Sequence, residues 1–180
     1  EETLLLKVNQ DKSKTGKSDS SKFLGMVIIN GMISMAKESI NRAIAKVKEL
    51  IPRGTHLPID KAMAKVNTWY RGWASYYKIT QYPSQLRLIE GRIRRRFRAR
   101  LICQQKKRRN LYRKLKKLGV SGKQARKTVF SNDKTWVLSH KRAVEKAFSV
   151  KWFIERVGQE IVSNKKLDHW FEENTWLKLV

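Results

Sequence analysis

Acidic side chains are scarce in this sequence, and over one long stretch they vanish. Of 180 residues, 15 are Asp or Glu against 41 Lys or Arg, a formal net charge of +26. From Gly91 to Asn132 there is no acid at all, while 17 of those 42 positions are Lys or Arg. A solvated helical face normally mixes signs and so supports i,i+4 ion pairs; this stretch can form none internally. A surplus of this size exceeds what solubility requires and points to a polyphosphate partner, ahead of an anionic membrane surface or a merely solvated basic tail. Cysteine is nearly absent too. The single Cys103 excludes an internal disulfide and fits a reducing compartment, the bacterial cytoplasm or an organelle interior. With His56, His140 and His169 widely scattered, that one cysteine cannot complete a zinc finger or a zinc-stabilised nuclease module, so no metal ligand is assigned. No apolar run reaches the roughly eighteen residues of a membrane span, and no signal-peptide pattern opens the sequence. A glycine-rich phosphate loop is missing, as is a nucleophile with a nearby base, and Asp60, Asp133 and Asp168 stand far apart. No complete active site can be read here.

What is present is mostly helical. Ile59, Met63, Val66, Tyr70, Trp73 and Tyr77 recur at steps of four and three, the stripe of an amphipathic helix from about Ile59 to Ile79. Gly72 interrupts it at a cost of roughly 1 kcal/mol against alanine, which suits a place of close approach. Either Trp73 packs beside Gly72 in a core, or the helix buries its aromatics and presents Asn67 and Arg71 to a partner; Arg71 is open between nucleic-acid contact and salt bridge. Before this helix, Ser34 is a suitable N-cap for a helix bearing Ile40, Ile44, Val47 and Ile51 and stopped by Pro52. After it, Ser84 caps a third helix with Leu86, Ile89, Ile93, Phe97 and Leu101 on one side. Its other side, expected to be wet and basic, carries Arg92, Arg94, Arg95, Arg96, Arg98 and Arg100. Three such helices with short loops make a three-helix bundle with Ile44, Val47, Val66, Trp73, Ile89, Ile93 and Phe97 in one core.

At the front, two apolar stretches, 3–9 and Phe23–Ile29, flank a polar loop, and the second turns back at Asn30-Gly31, a hairpin signal. So small a β element lacks partner strands, and a first residue that is Glu rather than Met suggests that something upstream completes it. Alone, the segment before Ser34 is expected to be poorly protected. Beyond Gln104, Leu111, Leu115 and Leu118 suggest a helix closed by Gly119, followed by short helices over Ser121–Val129 and Ala143–Ile154 and a break at Gly158. Trp170, Phe171, Trp176 and Leu177 are expected to dock back onto the bundle. The fold class is therefore mainly α: a short N-terminal β-hairpin, a three-helix bundle and further basic helices, divided at 1–32, 33–105 and 106–180.

Three stretches together resemble the C-terminal part of group II intron reverse transcriptases, the intron maturases. Leu6-Lys7-Val8-Asn9-Gln10-Asp11-Lys12-Ser13 and Phe23-Leu24-Gly25-Met26 look like the last two blocks of the polymerase palm, the second being the primer-grip hairpin. Asn67 with Arg71-Gly72-Trp73 and Tyr76-Tyr77 is similar to the signature of the maturase-specific thumb domain. Arg109–Gly119, Ser131–Trp136 and Ala143–Gly158 look like the region that follows the thumb, often assigned to DNA binding. The likeness runs in the correct order from about residue 4 to 163. The sequence departs from the family pattern in lacking the catalytic Tyr-Ala-Asp-Asp block and the appended zinc endonuclease. Met26 also replaces a common aromatic, and 164–180 match nothing.

The resemblance implies RNA and RNA–DNA duplex binding in support of intron splicing and template–primer grip, within an RNA-directed DNA polymerase active in retrotransposition. It implies a primer grip at Phe23, Leu24 and Gly25, and Lys12 as general acid for the leaving pyrophosphate, against the plainer reading of a solvated loop lysine. Nucleic-acid contacts are expected from Asn67 and Arg71, from Arg92, Arg94, Arg95, Arg96, Arg98 and Arg100, and from Lys106, Lys107, Arg108, Arg109 and Arg113. No cofactor is expected on this chain itself, with Mg2+ serving the complete polymerase. Its partners would be intron RNA, the template–primer duplex, target DNA and the upstream fingers and palm, with no membrane. A free-standing splicing factor without polymerase activity is the alternative, and a basic structural protein of the ribosomal kind a third.

Overall fold

The computed structural model describes residues 16–17 and 21–157. Lys12, the apolar stretch at 3–9 and the aromatic tail with Trp170, Phe171, Trp176 and Leu177 lie outside the described residues.

Positive backbone angles shape the opening. Phe23–Ile29 is two strands rather than one: β1 (Lys22–Phe23) and β2 (Met26–Ile29) are joined by Leu24 and Gly25, with φ of 48° and 77°. β2 then pairs with β3 (Met32–Met35) across Asn30 (φ 51°) and Gly31 (φ 76°), the primed turn that an Asn-Gly pair favours. The result is an antiparallel meander ordered β1-β2-β3, with Met26 opposite Met35 and Ile29 opposite Met32. Ser34 sits buried in β3 and caps no helix; the first helix starts later. The strand β3 also straddles the division expected at residue 32.

The helices complete the sheet. The segment after the second helix runs along β3: Ile33 N donates to Gln81 Oε1 at 2.7 Å, Gln81 N donates to Ile33 O at 2.8 Å, and Met35 N donates to Gln85 Oε1 at 2.9 Å. Met26 and Met35 meet Tyr77 and Leu86 in a small apolar cluster. On the β3 side, edge groups that would otherwise need another strand are thus paired within the chain.

Helices α1 (Lys37–Leu50), α2 (Ile59–Tyr77) and α3 (Pro83–Gln104) follow, α3 opening on Pro83 at its first turn, where a missing N–H costs nothing. Then come α4 (Arg108–Lys117), α5 (Gly122–Val129), α6 (Thr135–Leu138), α7 (Arg142–Ala147) and α8 (Val150–Val157). α4 ends where Gly119 (φ 81°) turns the chain left-handed: Gly119 N donates to Lys116 O at 3.0 Å and Val120 N to Leu115 O at 3.1 Å, the paired bonds of a Schellman stop. Ser121 Oγ accepts from Gln124 N and starts α5.

All the core positions expected for the three-helix bundle join one apolar cluster, with Ile44 and Trp73 at its half-buried margin. That cluster does not stop at residue 105. Leu111, Leu115, Val129, Leu138, Val144, Phe148 and Phe153 continue it, and Phe97 and Phe153 rings lie 6.1 Å apart. Among the described residues no helix is long and apolar enough to cross a membrane.

Candidate nucleic-acid interface

The arginines of α3 were expected on an open outer face. Most of them point into protein. Arg96 Nε donates to Ile51 O at 2.9 Å, closing the C-terminus of α1. Arg98 is buried, donating through Nε to Phe148 O at 3.1 Å, at the end of α7, and through Nη1 to Glu145 at 3.0 Å. Arg95 Nη2 donates to Trp136 O at 3.1 Å while its guanidinium lies 4.2 Å from the Trp136 ring centre. Arg94 pairs with Glu90 at 3.3 Å, and the buried Tyr70 hydroxyl donates to the same carboxylate at 3.0 Å. Burial beside that carboxylate pushes the Tyr70 phenol far above its ordinary value. Arg100 is 0% exposed and donates to Leu57 O in the loop before α2.

Physical chemistry explains the arrangement. The last carbonyls of a helix lack partners and carry the negative end of its dipole. In a stretch without acids, those carbonyls are the available counter-charges, and a guanidinium fork reaches them from the next element. Burial lowers the affinity of Arg95, Arg96, Arg98 and Arg100 for their protons, the proximity of Arg92 adding to it at Arg95 and that of Arg53 at Arg96. Arg108 follows the same rule from α4, donating to Val129 O and Asp133 O, each at 3.0 Å. The wet face is therefore corrected. Arg98 and Arg100 are interior, and Arg94, Arg95 and Arg96 are half-buried staples; only Arg92 of the six is exposed. Asn67 is also corrected. It shares the inward stripe of Met63, Val66, Tyr70 and Ala74 and is buried.

Of the residues expected at the interface, those still open to solvent besides Arg92 lie on α2 and on α4 with its approach. On α2 the outward residues are Lys61, Ala64, Lys65, Thr68, Arg71, Gly72 and Ser75, all exposed. Arg71 has no ion-pair partner among the described residues, and, its chain neighbours and own helix backbone aside, no described residue lies within 4 Å of where a Gly72 side chain would begin. The Trp73 ring stacks on Trp69 at 6.0 Å and lies tilted against Tyr77 at 4.8 Å. On α4 and its approach, Lys106, Lys107, Arg109 and Arg113 are exposed, as are Lys116 and Lys117. Lys106 holds φ at 53°, an uncommon conformation for a side-chain-bearing residue, at the corner between α3 and α4.

The hairpin tip adds a third feature. Phe23 and Leu24 are 75% and 66% exposed. Gly25 beneath them is held against α1 and α2: its carbonyl accepts from Ala36 N at 2.9 Å and Ser39 Oγ at 3.0 Å. A Cβ on Gly25 would meet Ser39 Oγ at 2.6 Å and the Tyr77 hydroxyl at 3.0 Å, so only glycine fits. Tyr76 Oη donates to Leu24 O at 2.9 Å. The aromatic end of α2 thus fixes the turn, a link that no local sequence pattern signals. Sequence reasoning also missed Trp136 and Glu145, whose arginine partners Arg95 and Arg98 lie 41 and 47 residues away along the chain, and His140 beside Glu145.

No curated protein matches the chain. A family model does: the group II intron, maturase-specific domain, over residues 40–119. The matched span opens in α1 and closes at the Gly119 stop after α4, so it takes in the aromatic helix, the arginine helix and the exposed cations of α4. Residues 40–119 thus match the group II intron maturase-specific domain, consistent with the resemblance carried by the aromatic signature.

Proposed function

We propose that this chain is the RNA-gripping part of a group II intron reverse transcriptase and maturase. The family match over 40–119 carries the reading. A maturase-specific domain ties the chain to group II intron splicing and to intron RNA. Its finer role follows from the surfaces. The small, cationic outer face of α2 and the exposed lysines and arginines of 106–117 suit phosphates of a helical duplex, which position a partner without reading its sequence. The Phe23-Leu24-Gly25 turn, braced by Tyr76 and Ser39, suits a grip on a primer end by apolar and backbone contact. RNA–DNA hybrid as well as intron RNA would then be bound, beside the fingers and palm of the polymerase, with Lys12 near the departing pyrophosphate. Magnesium in such a polymerase needs clustered carboxylates. Among the described residues no three His, Cys, Asp or Glu side chains come together to hold it.

Binding of structured intron RNA and of an RNA–DNA hybrid, followed from 50 to 200 mM salt, tests the reading. Each phosphate contact contributes about −0.9 to the slope of log affinity against log salt on a B-form duplex, and a similar value on an A-form one. The triple change Lys107→Gln, Arg109→Gln and Arg113→Gln is expected to flatten that slope by about two to three units with helical content unchanged. An unchanged slope removes α4 from the interface.

A further inference from the structure

Between α3 and the connection from α6 to α7 lies a cleft of about 360 Å³ lined by Arg92, Arg94, Arg95, Arg98, His140 and Glu145. Four guanidinium groups share it with one carboxylate. Glu145 Oε1 accepts from Arg98 at 3.0 Å and lies 3.3 Å from His140 Nδ1, and Arg94 is tied to Glu90 at 3.3 Å. Arg92 and Arg95 make no ion pair with a carboxylate among the described residues, Glu145 acting on Arg95 only from a distance. Arg95 spends Nη2 on a backbone carbonyl, and its Nε is buried with no hydrogen-bond partner there. Like charges press on one another in this cleft: after burial, Arg92 is the next cause lowering the proton affinity of Arg95, and Arg94 acts likewise on Arg98 against the pull of Glu145. A solvated basic face spreads its charges apart. Here the fold gathers them in a concavity, where low-dielectric walls focus the field on whatever enters.

We propose that this cleft seats one phosphate group, gripped by Arg92 and Arg95 with Arg94 and Arg98 behind them. A phosphate offers several acceptor oxygens and one to two negative charges, which suits converging guanidinium forks better than a single carboxylate does. The site is separate from the exposed faces of α2 and α4. It deepens the reading of the chain as RNA-binding and rests on it for the natural source of the phosphate, an RNA backbone diester or a free phosphate ion.

The experiment uses the whole chain with inorganic phosphate, against chloride at equal ionic strength. Phosphate at 10 mM, an amount chosen to exceed a millimolar site, is expected to raise the melting temperature by about 2–5 °C over chloride. Arg92→Gln, on an exposed side chain, is expected to remove that increment while folding normally. Leu88→Glu places a carboxylate at the cleft rim, where Leu88 is 44% exposed. It is expected to raise the melting temperature in chloride and abolish the phosphate increment. No increment over chloride in the parent chain overturns the proposal, as does an increment that survives both variants. RNA titrations then separate the sources. A backbone diester predicts that Arg92→Gln weakens RNA binding about threefold to tenfold and that phosphate competes with RNA; a free ion predicts neither. The α4 triple variant keeps the two readings apart. It should lose RNA affinity and keep the phosphate increment, so loss of the increment in the parent alone sinks the cleft and leaves the RNA reading standing.

Discussion

Arg92 and Arg100 sit eight residues apart on one helix and do opposite things. Arg100 is wholly interior and anchors the loop carbonyl of Leu57, whereas Arg92 faces solvent. Arg100→Ala removes both the stem's packing and the partner of a buried carbonyl, at an expected cost of about 2–4 kcal/mol in urea unfolding. Arg92→Ala is expected to stay within about 0.5 kcal/mol of the parent. The pair Arg95 and Arg96 belongs with Arg100, since both tie α3 to neighbouring carbonyls, so replacing them together should lower stability and not merely flatten a salt slope. A second residue-scale effect concerns pH. The Lys141 ammonium, then the Ser131 hydroxyl, hold the Asp133 carboxyl below its ordinary value. A folded value below the unfolded one gives stability that is complete above the unfolded value near 4 and is lost as pH falls through the folded value. Asp133→Asn should therefore shrink the fall in melting temperature between pH 5 and pH 2. An unaltered fall would assign it to other carboxylates.

At the scale of elements, α2 joins two tasks on one helix. Its inner stripe of Met63, Val66, Tyr70, Ala74 and Tyr77 builds the core, and its outer face is kept small and cationic. Among the described residues, none beyond its own helix and chain neighbours comes close enough to Gly72 to require a glycine there. Gly72→Ala should stabilise the chain by roughly 0.5–1 kcal/mol through helix propensity. If the α2 face receives a nucleic-acid backbone, the same change should weaken RNA binding. Stability up and affinity down is the expected pair; unchanged affinity would make Gly72 a tolerated defect and remove the centre of α2 from the interface. The hairpin shows the converse case. Gly25 is required by Ser39 and Tyr77 packed over it, and β3 is paired by Gln81 and Gln85, so amide exchange at Ile33 and Met35 should be slow in the chain alone.

For the whole molecule, a charge of +26 sets folding and binding against each other. Self-repulsion weakens the compact state and is screened by salt, since the Debye length falls from about 10 Å at 0.1 M to about 3 Å at 1 M. The melting temperature should therefore rise between 50 and 500 mM sodium chloride while RNA affinity falls over the same range. A melting temperature that fell with salt would mean that attractive pairs such as Arg98–Glu145 outweigh the repulsion.

The residues by themselves determined the helix order, the Asn30-Gly31 turn, the Gly119 stop, the aromatic stripe and the family resemblance, because each is written in local periodicity, in a turn pair or in a short signature. They also determined that the partner is anionic, since net charge is a sum that folding cannot change. Which cations remain for that partner was decided only by tertiary structure. Arg92 and Arg100 are the same residue type in the same acid-free run, and nothing local separates them. The difference is whether a helix end or loop carbonyl from some fifty residues away arrives beside the guanidinium, as Ile51, Leu57 and Phe148 do at Arg96, Arg100 and Arg98. The cleft beside Trp136 and Glu145 was hidden for the same reason. A pocket is a relation between elements, and the packing of α6 and α7 on α3 creates it.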